Sequence, residues 1–236
     1  MNNASDAVTQ LATTFSANEI AYIRRVLDQM FETNNTKIRE VMAVKHTEAS
    51  QLARLSRRNR QSQTNARQSQ INGDAEDSQA SADTGISIAE ADLVLETLVS
   101  EAFFQKSKAG YYSLAPRALM ELRAYLKETY NESADENEDG REVIRIRDCE
   151  GCREIVTFGI RCNNRECGAR WHDACANSYY RGRKGNRKCP RCQTECSGDV
   201  FVGERAAWMG GRTSTGGNRH STQNREEDEE DEEEEE

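Results

Sequence analysis

Four close pairs of soft ligands stand between positions 149 and 192: Cys149-x2-Cys152, Cys162-x4-Cys167, His172-x2-Cys175 and Cys189-x2-Cys192. Seven thiolates and one imidazole are what two tetrahedral zinc ions need, with no coordination position left for water. A pair two residues apart can chelate one ion from a tight knuckle. Such closed sites hold loops together and do no hydrolytic chemistry. The remaining cysteine, Cys196, falls outside the pattern. It reads as an ordinary thiol, because no histidine or carboxylate partner can be argued for it.

All eight cysteines lie between 149 and 196. In a small secreted module an even count suggests disulfides, but the first sixteen residues lack the basic start and apolar core of a signal peptide. No apolar run approaches the roughly 18 residues of a membrane span, so no membrane contact is expected. Paired spacings and a histidine favour zinc, two ions per chain, in a reducing compartment. Consecutive pairs would make two successive treble-clef-like units. Alternate pairs would make a cross-brace, with Cys149, Cys152, His172 and Cys175 on one ion and Cys162, Cys167, Cys189 and Cys192 on the other. Spacing allows both. The cross-brace is preferred, since some fifty residues with little core need their two halves tied by metal.

The elements that position this module are unevenly spread along 236 residues, of which 36% are hydrophobic and 31% charged. The formal charge of −9 is a local matter. Residues 226–236 are all acidic, and without them the chain carries +2. Residues 1–15 read as a flexible leader. Ser16-Ala17-Asn18-Glu19 is a capping box, followed at helical spacing by Ile20, Ile23, Val26, Leu27, Met30 and Phe31. A weaker helix is expected over 37–55, with Ile38, Val41, Met42 and Val44 inward. Residues 56–85 are rich in Ser, Gln, Asn, Arg and Asp and read as a disordered insertion.

From Ser87, the residues Ile88, Leu93, Val94, Leu95, Leu98 and Val99 suit one buried helix. A hairpin follows, with Phe103-Phe104-Gln105 and Tyr111-Tyr112-Ser113-Leu114 about a polar turn. Pro116 can open the next helix, with Leu119, Leu122, Tyr125 and Leu126 inward. Residues 131–142 form an acidic linker, 143–202 the zinc domain with a closing strand near 197–202, and 203–236 a disordered acidic tail. The fold class is therefore α+β, with a winged-helix domain over 16–130 followed by a small cross-braced domain. The winged helix is expected to stay folded without the zinc module. Its third helix carries Glu90, Asp92, Glu96 and Glu101 and no Lys or Arg between 87 and 105. A DNA backbone would repel it, so that element suits a protein contact.

Cross-braced fingers of this kind occur in RING-type ubiquitin ligases and in plant-homeodomain fingers that read histone tails. The latter carry an aromatic two residues before the seventh ligand, where Arg187 stands here. Pro190 within the last pair, and Trp171 directly before His172, resemble RING domains. With the winged helix and acidic linker, residues 12–202 resemble the non-SMC element one family, the RING-bearing subunits of the Smc five/six chromosome-maintenance complex. The helix at 87–101, the wing at 106–112 and the helix at 116–130 resemble that family's second winged helix. The resemblance implies a further winged helix ahead of this one, for which the stretch before Ser16 is too short. It also implies a nuclear role in DNA repair and recombination, and a MAGE-type partner within that complex.

A RING ligase forms no covalent intermediate; it holds a ubiquitin-charged conjugating enzyme in a reactive geometry. No catalytic residue is therefore expected, only a docking groove, to which Ile155, Val156, Trp171 and Pro190 could contribute. Gly151 and Gln193 replace an aliphatic and a bridging basic residue, which predicts weak activity alone. The other reading is a zinc-stabilised interaction or chromatin-binding module without transfer activity. Ten basic residues face four acidic ones between 149 and 192, which with thiolates and zinc leaves about +3. Arg181, Arg183, Lys184, Arg187 and Lys188 form a run that could contact DNA phosphate or an acidic partner.

Overall fold

Ser16 caps the first helix. Its hydroxyl accepts from the Glu19 N–H, and the Glu19 carboxylate accepts in return from the Ser16 N–H at 2.7 Å, satisfying two donors that a first turn leaves open. The computed structural model describes residues 14–54, 84–133, 142–183 and 186–208. Most of the expected leader, insertion, linker and tail, and Lys184 of the basic run, lie outside the described residues. Helix α1 (Ala17–Asp28) passes into a π-helical turn, Gln29–Thr33, and buries Tyr22, Ile23, Val26, Leu27, Met30 and Phe31. Phe15, assigned from sequence to the leader, is also in the core.

The helix expected over 37–55 is shorter. Strand β1 (Val44–Lys45) and helix α2 (His46–Leu52) occupy its second half, and residues 34–43 form a looped strap. Polar side chains explain the change, because they offer the backbone alternatives to helical bonds. Asn34 Nδ2 donates to Ala43 O at 2.8 Å, the Arg39 N–H donates to Thr36 Oγ1 at 3.0 Å, and Met42 takes a positive φ of 44°. Ile38, expected inward, is exposed. Either side of 55–83 the chain is clasped: the Ile86 N–H donates to Ala53 O at 2.9 Å, and Asn18 Nδ2 donates to Thr84 Oγ1 at 3.1 Å.

Helix α3 (Ile88–Ser100) is capped by Ser87 and Glu90 and buries Ala91, Val94, Leu95 and Leu98. Its apolar stripe is narrower than the sequence suggests, since Leu93 is 62% exposed and Ile88 42%. Strands β2 (Phe104–Lys106) and β3 (Tyr111–Leu114) form the wing, with Phe104 opposite Leu114. Strand β1 completes an antiparallel sheet in the order β1-β3-β2. Pro116 opens α4 (Pro116–Glu121), and a break at Leu122 separates it from α5 (Arg123–Tyr130).

The ends of the expected linker are not free. β4 (Asn131–Glu132) pairs antiparallel with β5 (Val143–Ile144). In the cysteine-rich module β6 (Gly159–Arg161) lies between β7 (Arg170–Trp171) and β8 (Phe201–Val202), and α6 (Asp173–Arg181) packs on that sheet. Residues 205–208, expected within the tail, form a short helix α7 (Arg205–Trp208), because Ala206 buries beside Val41 and Ala43 of the strap. One continuous set of buried side chains runs from Phe31 and Tyr130 through Ile146 to Cys149, Ile155, Trp171 and Val202. Winged helix and cysteine-rich module therefore share a core.

Candidate metal centre

Two knuckles of the same backbone form present half of the ligands. In the first, the Arg153 N–H donates to Cys149 O at 3.0 Å; in the second, the Gln193 N–H donates to Cys189 O at 3.0 Å. Arg153 and Gln193 both take the left-handed conformation, at φ 65° and 60°. His172 is the N-cap of α6 and Cys175 lies in its first turn. Cys162 and Cys167 flank a loop closed by Cys162 N–H to Ala169 O at 3.1 Å.

The fold brings these pairs together in alternation. One group is Cys149, Cys152, His172 and Cys175; the other is Cys162, Cys167, Cys189 and Cys192, with ligand atoms of each group within 4.8 Å of one another. All eight cysteines are free thiols. Cys152 Sγ lies 3.3 Å from His172 Nδ1, Cys162 Sγ 3.5 Å from Cys192 Sγ, and Cys167 Sγ 3.6 Å from Cys189 Sγ. Edges of a tetrahedral thiolate site with metal–sulfur bonds of about 2.3 Å are about 3.8 Å long, so the donors already stand near their liganded spacing. His172 Nε2 is 3.1 Å from Ile155 O. A proton held there fixes the tautomer that turns the Nδ1 lone pair to the thiols. The donor set and spacing fit two metal ions in a cross-brace.

Local hydrogen bonds prepare one thiolate in each group. At Cys149 burial pushes the thiol up, but bonds from Cys152, His172 and Gly151 outweigh it and hold the thiol down to about 7. The Thr194 hydroxyl and N–H hold Cys192 down to about 6. Burial pushes Cys175 up to about 11, and Cys162 and Cys167 are raised as well. Cys196 is buried outside both groups, its Sγ 3.7 Å from Thr194 O.

Comparison with known proteins agrees with this architecture. The family described as Nse1 non-SMC component of SMC5-6 complex matches residues 1–122, more than half of the chain. The chain belongs to that family. A RING-like domain matches residues 149–192, the span of the eight ligands. Among curated Nse1-family proteins, the non-structural maintenance of chromosomes element 1 homolog of Xenopus laevis is 32% identical over 103 residues, covering 44% of this chain and 32% of that protein. The Homo sapiens homolog is 28% identical over 103 residues, covering 44% and 33%. The matched stretch thus spans about a third of these relatives. A chain of a solved Nse1-Nse3-Nse4 complex superposes with a TM-score of 0.53 at 20% identity, over 85% of this chain and 66% of that one, which establishes a shared fold.

The structure corrects the expected docking groove. Ile155, Val156 and Trp171 are core residues, each at most 2% exposed, within the buried cluster that includes the module's own sheet, with the Trp171 ring packed on Tyr179 and Tyr180 of α6. Only Pro190 of the four is on the surface. Phe158, which sequence reading passed over, is 47% exposed and packs its ring 5.4 Å from the His172 ring. A larger residue at Gly151 would press on a candidate ligand, since a Cβ there would stand 3.0 Å from Cys175 Cβ.

The basic surface is also smaller than a residue count suggests. Arg161 and Arg170 are buried and committed to Glu40, and Arg191 pairs with Glu150 at 2.7 Å. Arg181, Arg183, Arg187 and Lys188 are exposed, with Arg183 4.4 Å above the Tyr179 ring and Arg187 Nη1 donating to Ser197 O at 2.8 Å. Glu40 itself was not singled out in the sequence. Its one signal was a lone carboxylate ahead of the apolar run Val41-Met42-Ala43-Val44.

Proposed function

We propose that this Nse1-family chain is a RING-type ubiquitin-ligase subunit of a nuclear Smc five/six complex, acting in DNA repair and recombination through two structural zinc ions. The alternate grouping of the eight ligands carries the reading, because a cross-brace fixes two knuckle loops on one rigid face. Pro190 lies at the tip of one knuckle and Phe158 beside His172 of the other site, both exposed. These replace Ile155, Val156 and Trp171 as candidate contacts for a charged conjugating enzyme. The zinc ions would hold the loops, and the rate gain would come from orienting the thioester. The short apolar contact and neutral Gln193 make the chain weak alone and stronger with a MAGE-type partner.

A non-catalytic brace is favoured by one observation, the burial of three of the four residues first expected in the groove. Ubiquitin discharge from charged conjugating enzymes onto free lysine, with zinc-loaded chain alone and with partner, separates the two readings. The acidic α3 supports a protein contact for the winged helix. The exposed arginines of α6 and its following loop support a weaker contact with phosphate or acidic chains.

A further inference from the structure

An open cleft of about 580 Å³ lies between α6, the β6 edge and the segment leading into α7. Its floor is apolar, made by Ile160, Ala176 and Phe201, and its rim carries Arg181, Arg187 and Arg205. A single carboxylate, Asp173, faces them, and it is already taken by Arg205 Nη2 at 2.7 Å to both oxygens. The Arg205 guanidinium lies 4.3 Å above the Phe201 ring, and Arg187 spends Nη1 on Ser197 O. Arg181 has no ion pair among the described residues. The cleft is cationic at its rim and greasy at its base, which suits extended glutamates whose methylenes lie on the floor and whose carboxylates reach the guanidinium groups.

We propose that the occupant is the chain's own acidic segment, residues 226–236, folded back in cis. Two observations favour it over any other anion. The described chain ends at Trp208, three residues beyond Arg205 on the cleft rim, and seventeen residues, rich in Gly, Ser and Thr, separate it from Glu226. A tether of that composition spans about 20–25 Å on average, enough to return to its starting point, and it presents the acidic run at an effective concentration of the order of millimolar. The charges also match: eleven acidic residues in the segment, and a rim with three guanidiniums to one carboxylate. The segment thereby screens Arg181, Arg187 and Arg205 from phosphate and from acidic partners. This inference is independent of the ligase reading.

The test compares zinc-loaded full-length chain with a variant lacking residues 226–236. Amide resonances of Asn177, Tyr180, Arg181, Arg187, Phe201 and Arg205 should differ between the two, with no dependence on protein concentration. A fluorescent peptide of sequence 226–236 should bind the shortened chain at least about tenfold more tightly than the full chain. Arg181→Glu should weaken that binding while leaving the zinc-module resonances in place, since Arg181 is exposed on the last turn of α6. The proposal is overturned if the resonance differences fall elsewhere, or if they grow with concentration as binding to a second copy would make them. Tighter binding of a short DNA duplex than of the peptide to the shortened chain would overturn it in favour of a nucleic-acid cleft.

Discussion

Arg170 holds the carboxylate of Glu40 from 130 residues along the chain: its Nε donates to Glu40 Oε2 at 2.6 Å and its Nη2 bonds to Oε1. Arg161 adds a bond to Oε1 at 2.8 Å, and all three side chains are buried. The strap at 34–43 is thus clamped to the cysteine-rich module, and the Gly203 N–H donates to Glu40 O at 2.7 Å on the same edge. Glycine is required there, because a Cβ at Gly203 would stand 2.6 Å from Thr157 O. The clamp joins two parts that the sequence presents as separate domains.

Glu40→Ala should therefore cost about 3–5 kcal/mol, the usual result of leaving buried charges without their partner. Denaturant unfolding of the zinc-loaded chain measures it. A loss under about 1 kcal/mol would show that the clamp contributes little.

The same carboxylate predicts a pH effect. Burial raises its pKa, but Arg170 and Arg161 outweigh burial and hold it below 4.5. A depressed folded pKa gives stability that is present above the unfolded value and lost as pH falls through the folded value. The stability gap between wild type and Glu40→Gln should be constant near neutrality and shrink below pH 4.5. A gap that widens in acid would contradict this.

Zinc loading should release protons, since Cys162, Cys167 and Cys175 are protonated at neutral pH before the metal binds. Calorimetry in two buffers of different ionisation enthalpy counts them. Chelation should also loosen the winged helix, contrary to the expectation that 16–130 stands alone, because the core is shared. Amide exchange in α1 that is unchanged by chelation would contradict the shared core.

Leu93, exposed in the middle of acidic α3, should matter for a protein partner and not for DNA. Leu93→Asp should weaken binding of a MAGE-type partner by about tenfold or more, equivalent to about 1.4 kcal/mol. Unchanged affinity would place the partner on another face.

The alternate grouping of the eight cysteine and histidine side chains was legible, because chelation demands particular side chains at short spacing. The capping box at Ser16 was equally legible, since it is local; the matching box at Ser87 and Glu90 was not read, although its signal is the same. What else escaped was non-local. Ile155, Val156 and Trp171 read as a surface groove because their burial is tertiary: Trp171 is covered by Tyr179 and Tyr180 of α6, and all three belong to the core shared with the winged helix. Arg161 and Arg170 read as surface charge because Glu40 gives no hint of its partners. Residues 37–43 of the strap looked helical by apolar spacing, and the Asn34 and Thr36 side chains overrode that pattern.

The most direct measurement is ubiquitin discharge onto free lysine from a panel of charged conjugating enzymes, using zinc-loaded chain with and without a MAGE-type partner. Weak stimulation alone and stronger stimulation in the complex are expected, with loss on Phe158→Ala or Pro190→Ala and no change on Cys196→Ala. Gln193→Arg should raise the rate; the backbone tolerates it, since Arg153 already occupies the matching left-handed position of the other knuckle. If no enzyme in the panel is stimulated even in the assembled complex, the module is a brace and not a ligase.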